Sequence, residues 1–173
     1  HAGAPVPELP LDALDADILP IFLEEAGEAL PQLAASIATC RAAPTDPAPL
    51  ADIRRAFHTL KGSGRMAGAN ALGEAAWHFE RLLNDWPADT PASAALLDAC
   101  AAGVALFADW AARLADAGGV PDTLAATLAQ VAALAGGALP DDASATDAAR
   151  PVAASVAAPA ATPVEPGALE SGP

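Results

Sequence analysis

Apolar residues spaced three and four apart constrain this chain more than any other feature. Leu14, Ile18, Phe22, Ala26, Leu30, Leu33 and Ile37 follow one another at that interval, which lines them up on one face of a helix and on no face of a strand. This predicts a first helix, A, from Leu11 to about Arg41. The interval returns in Leu50, Ile53, Phe57 and Leu60 (helix B), and in Leu72, Ala76, Phe79, Leu83 and Trp86 (helix C, with Asn70 as its N-cap). Leu96, Leu97, Cys100, Val104, Phe107, Ala111 and Leu114 give helix D; a shorter helix E runs from about Pro121 through Leu124, Leu128, Val131 and Leu134. Pro20 suits a first turn, whereas Pro31 falls inside the pattern and is expected to kink or split helix A.

The breaks in the pattern carry proline or glycine: 43–49 reads APTDPAP, a loop spans Pro87 to Ser93, and Gly118-Gly119 and Gly136-Gly137 follow helices D and E. Hydrophobic residues make up 53 % of the chain and are mostly alanine and leucine, tyrosine is absent and aromatics are 4 %. Such a composition favours close-packed helices over sheets. The expected fold is all-α: an antiparallel four-helix bundle over residues 11–137, with the additional short C-terminal helix as a cap or side-packed element. Residues 1–10, with three prolines, are expected to be an extended lead-in, and 138–173, rich in proline and alanine, a disordered linker to a further domain. The leading His1 reads as a cut end of a longer protein.

A net charge of −14 disfavours nucleic acid and anionic membrane as partners. No apolar run is read as approaching the ~20 residues of a membrane span, and no signal-peptide pattern opens the chain, so a cytoplasmic location is expected. Cys40 and Cys100 sit in apolar patterns without metal-ligand spacing and are expected to be buried free thiols. Trp77, Trp86 and Trp110 are read as packing residues, and His78 has no motif around it.

Against this acidic background one segment is basic. Four of the eight basic residues, Arg54, Arg55, Lys61 and Arg65, lie around His58 in RRAFHTLKGSGRMAG, and no acidic residue occurs between Asp52 and Glu74. On helix B, Arg54, His58, Lys61 and Arg65 form a row predicted to lie opposite the core stripe, so His58 points outward. An exposed imidazole among cations can act as a nucleophile toward a phosphoryl group. Gly62 and Gly64 remove bulk where a partner's backbone would approach. Glu80, at the edge of the apolar arc of helix C, is placed to reach a neighbouring helix and fix the imidazole tautomer. There is no His-Glu-x-x-His, no Gly-x-Ser-x-Gly and no strand-borne nucleotide loop, so ATP binding by this chain is not expected.

His58, Thr59, Leu60, Lys61, Gly62 and Ser63 read H-T-L-K-G-S, which resembles the H-x-x-K-G-[SAG] motif of histidine phosphotransfer (HPt) domains. The following GRMAGANALGEAAWHFERLL resembles those of CheA-like chemosensory hybrid kinases, particularly of twitching-motility and type IV pilus systems. The resemblance spans about residues 12–117. It implies a phosphocarrier, not an enzyme, that takes a phosphoryl group on Nε2 of His58 from a kinase ATP-binding domain and passes it to an aspartate of a receiver domain. No cofactor is bound by the domain itself, ATP and Mg being needed by its partners. The resemblance implies that His58 is the phosphoacceptor, Lys61 stabilises phosphate, Gly62 gives access and Glu80 hydrogen-bonds the histidine. Gly64, Arg54 and Arg65 are assigned to partner access and docking. Trp77 stands where some CheA-type domains have a second histidine, with His78 displaced by one. The alternative is a helical docking or scaffolding module of the same shape that carries no phosphate.

Overall fold

The computed structural model describes residues 13–136; the expected lead-in and linker lie outside the described residues. Five helices follow in order: α1 Leu19–Ala42, α2 Pro47–Met66, α3 Asn70–Asp85, α4 Ala94–Ala115 and α5 Leu124–Leu134. They correspond to the expected helices A to E, and the fold is all-α. α1 packs on α2 and α4, α2 packs most extensively on α3, and α5 lies along α4 and α3, which touch each other less. The first four helices therefore form the bundle and α5 is the side-packed element.

Several boundaries differ from expectation, each for a local reason. α1 starts at Leu19, not Leu11, because the Asp15 carboxylate accepts from the backbone N–H of Asp17 and Ile18 and makes a turn there. Pro20 falls in the first turn as expected. Pro31 does not split α1. Proline removes the N–H that would bond the carbonyl of Gly27, but both residues are exposed, so water can satisfy that carbonyl. α2 begins earlier than its apolar stripe: Asp46 accepts from the Ala48 N–H at 2.9 Å, and Pro47 opens the helix. Ser93 caps α4 in the same way through Leu96.

Asn70 is not the N-cap of α3; Ala69 holds that position without a side-chain bond. The reason is the tightness of the α2–α3 connection, in which Ala67 and Ala69 are completely buried. Gly68 takes φ 77°, its N–H donates to Arg65 and that of Ala69 to Gly64, which closes α2 in a Schellman arrangement. α4 ends in the same bonding pattern, from Ala117 to Leu114 and Gly118 to Arg113. There, however, the left-handed residue is Ala117 at φ 54°, not one of the two glycines.

The core centres on aromatic rings. Phe57 of α2 and Phe79 of α3 stack with centroids 4.5 Å apart, and Phe107 of α4 stands 6.0 and 5.9 Å from them. Trp110, fully buried, stacks on Phe107. Gly103 lets α4 come this close, since a Cβ there would sit 2.7 Å from the Phe79 ring. Each such ring contributes roughly 1.5–3 kcal/mol by leaving water, and the stack fixes the register of α2 against α3. Cys40 and Cys100 are free and buried; burial pushes the Cys100 thiol up to about 12, which leaves it protonated and unreactive. α4 corrects one expectation: it is long and apolar enough to cross a membrane, the one such helix among the described residues. Its apolar face here carries Leu96, Leu97, Cys100, Phe107 and Trp110 into the bundle core.

Candidate functional site

The residues after Phe57 and Phe79 are His58 and Glu80. Because the two rings stack inside the bundle, the next side chains along each helix emerge together at the α2–α3 seam. The seam is antiparallel, and each step down α2 is met by a step up α3. Arg54 reaches Asn84, His58 and Lys61 both reach Glu80, and Arg65 reaches Glu74. The basic row of α2 thus does not lie opposite the core as expected. It runs along the seam, where every member is tied to α3.

His58 Nδ1 lies 2.6 Å from Glu80 Oε1, with the imidazole 65 % exposed and the glutamate side chain only 12 %. Donation of the Nδ1 proton to the carboxylate leaves Nε2 as the free lone pair in the neutral ring. The Lys61 ammonium is 2.6 Å from Glu80 Oε2, a buried atom that accepts no other hydrogen bond. Burial pushes the Glu80 carboxyl up, but the hydrogen bonds and charges of Lys61 and His58 outweigh it and hold the group below the ordinary carboxylate range. Glu80 is therefore ionised at neutral pH.

Lys61 is not the freely exposed cation expected of an outward row; its side chain is 19 % exposed and committed to Glu80. Arg54 is exposed, with its 3.4 Å contact to Asn84 Oδ1. Arg55 pairs with Asp52 at 3.0 Å. Arg54, Arg55, His58, Glu80 and Asn84 line an open recess of about 270 Å³. Arg65 is not brought to His58: its guanidinium is held by Glu74 and its stem crosses Gly73, where a Cβ would meet it at 2.6 Å.

The two glycines separate. Gly62 is exposed and a Cβ there would meet nothing within 4 Å, so the surface beside His58 is bare. Gly64 is buried, and its Cβ would lie 2.9 Å from Leu72; it serves the approach of α3 to α2, not access by a partner. His78 is half-buried against the edge of Trp77, and burial holds its pKa below the ordinary value, Glu74 opposing and Arg81 assisting. Arg81 also covers the Trp77 ring, so this group forms a packed surface apart from the recess. Asn84 was missed as a site residue, although its spacing of four from Glu80 on α3 signals it. Among the described residues no cluster of three or more His, Cys, Asp or Glu could hold a metal ion.

Neither the curated proteins nor the solved structures contain a match to the chain. A protein-family model does match, that described as Hpt domain, over residues 17–134, which is more than half of the 173 residues and takes in α5 as well as the bundle. The helical bundle, the exposed histidine of α2 and this match agree, and the chain belongs to the Hpt domain family, the phosphocarriers of two-component phosphorelays.

Proposed function

We propose that His58 is the phosphoacceptor, and that it shuttles a phosphoryl group between the ATP-binding domain of a histidine kinase and the aspartate of a receiver domain. The observation that carries this reading is the ionised, half-buried Glu80 at 2.6 Å from Nδ1 of an exposed imidazole. With Nδ1–H engaged, Nε2 attacks the γ-phosphorus of ATP, the N–P bond forms and the P–O bond to ADP breaks. Positive charge growing on the ring is met by Glu80, which needs no rearrangement to meet it. In the forward step an aspartate oxygen of the receiver takes the phosphorus and the N–P bond breaks, returning the lone pair to Nε2. ATP and Mg belong to the partners' sites, and this chain supplies the nucleophile, its orientation and a bare approach beside Gly62. The parent is proposed to be a CheA-like chemosensory hybrid kinase of a twitching-motility or type IV pilus system, acting in the cytoplasm. The motif segment running into α3 supports that context.

Incubation with a histidine kinase catalytic core and radiolabelled ATP is expected to label the chain in an acid-labile, base-stable manner, and a receiver domain is expected to remove the label. A label that survives His58→Gln would overturn the assignment. Receiver binding indifferent both to phosphorylation and to replacement of His58 would instead favour the docking-module alternative.

A further inference from the structure

Resting on the reading that His58 carries the phosphoryl group, the geometry points to Arg54, with Asn84 and Arg55 beside it, as the group that receives the phosphoryl oxygens. Lys61 then acts one step back, as a positioning residue through Glu80.

Charge is the first argument. The Lys61 ammonium and the Glu80 carboxylate neutralise each other at 2.6 Å, so the pair has no net charge to offer an anion. A phosphoryl group brings a charge of about −1.5 to −2 near neutral pH and needs a further cation. Recruiting Lys61 would also strip Oε2 of its partner, and a buried carboxylate oxygen left unpaired is costly.

Availability is the second. Arg54 is exposed, and the contact it would surrender is a long one, 3.4 Å, to the neutral amide oxygen of Asn84. Arg55 is less free because Asp52 holds it at 3.0 Å. Position is the third argument. Arg54 stands one turn before His58 on the same face of α2, and both line the recess that Asn84 closes from α3. A guanidinium offers two parallel N–H donors that match phosphate oxygens, where an ammonium is a point charge. The contact with Arg54 uses only the Asn84 amide oxygen, so the amide N–H2 group can donate to the phosphoryl oxygens as well.

The test uses the full chain phosphorylated chemically with phosphoramidate: the P–N bond of the reagent breaks, ammonia leaves and the N–P bond to His58 forms. Phosphorus NMR then follows the second ionisation of the phosphohistidine as pH is varied. A cation beside the phosphoryl group favours its dianion, so Arg54→Ala is expected to raise that ionisation by about half a unit or more, and Arg54→Lys to restore part of the shift. Lys61→Met is expected to move it less than Arg54→Ala does. The inference is overturned if Arg54→Ala leaves the ionisation in place, or if Lys61→Met moves it as far or farther. Failure of the parent reading looks different: a histidine kinase core and ATP leave His58 unlabelled although phosphoramidate phosphorylates it, and the inference falls with that reading.

Discussion

At the residue scale, the site is a chain of three side chains, an ammonium, a carboxylate and an imidazole, with one solvent-facing end. Lys61 neutralises Glu80, Glu80 orients His58, and His58 presents Nε2 outward. Because the folded Glu80 carboxyl titrates below its ordinary value, its stabilising effect is complete above the unfolded carboxylate value of about 4.3 and is lost as pH falls through the lowered one. Lys61→Met removes the largest of the groups that lower it and leaves burial, which raises it. The carboxyl is then expected to titrate at a higher pH, and acid unfolding to begin earlier. Carbon NMR of the Glu80 carboxyl checks this, and a titration curve unmoved by Lys61→Met would contradict the assigned order of contacts. The motif made His58 and Lys61 legible in the sequence. The partial burial of Lys61 against Glu80 was not, since the helical interval places residues on a face without saying which neighbour that face meets.

At the element scale, two helix ends with one bonding pattern carry opposite consequences. Gly68 sits at φ 77°, and a Cβ there would collide with the Ala13 carbonyl. Gly68→Ala adds a left-handed strain of about 1–2 kcal/mol and a collision with backbone, and should destabilise the bundle by at least that amount. At the end of α4 the left-handed residue already has a side chain, Ala117, so Ala117→Gly should stabilise by about 0.5–1 kcal/mol. Denaturant unfolding of the two variants measures both signs; a stabilising Gly68→Ala, or an Ala117→Gly that lowers stability, would show the caps to be built otherwise. The sequence pointed to Gly118 and Gly119 as the stop of that helix. It could not show which residue turns left-handed, because the turn is set by where the last carbonyls of α4 find donors. The role of Gly64 was misread for a similar reason: a glycine that bares a surface and one that admits a neighbouring helix look the same until the α2–α3 contact is known.

At the scale of the whole molecule, the core positions the chemistry. The Phe57–Phe79 stack, pressed by Phe107 and admitted by Gly103, sets the α2–α3 register, and the next residue on each helix is then His58 facing Glu80. Helix count, order and the all-α class were legible in the apolar spacing because each stripe had to be buried on another. The cross-helix contact was not, because it depends on packing between segments twenty-two residues apart. The most direct test of the account is phosphorus–nitrogen coupling measured by NMR on the nitrogen-labelled chain after phosphorylation. One phosphoryl group is expected, bonded to Nε2 of His58, with Nδ1 still protonated toward Glu80. Phosphorus on Nδ1, on His78, or on no histidine at all would contradict it.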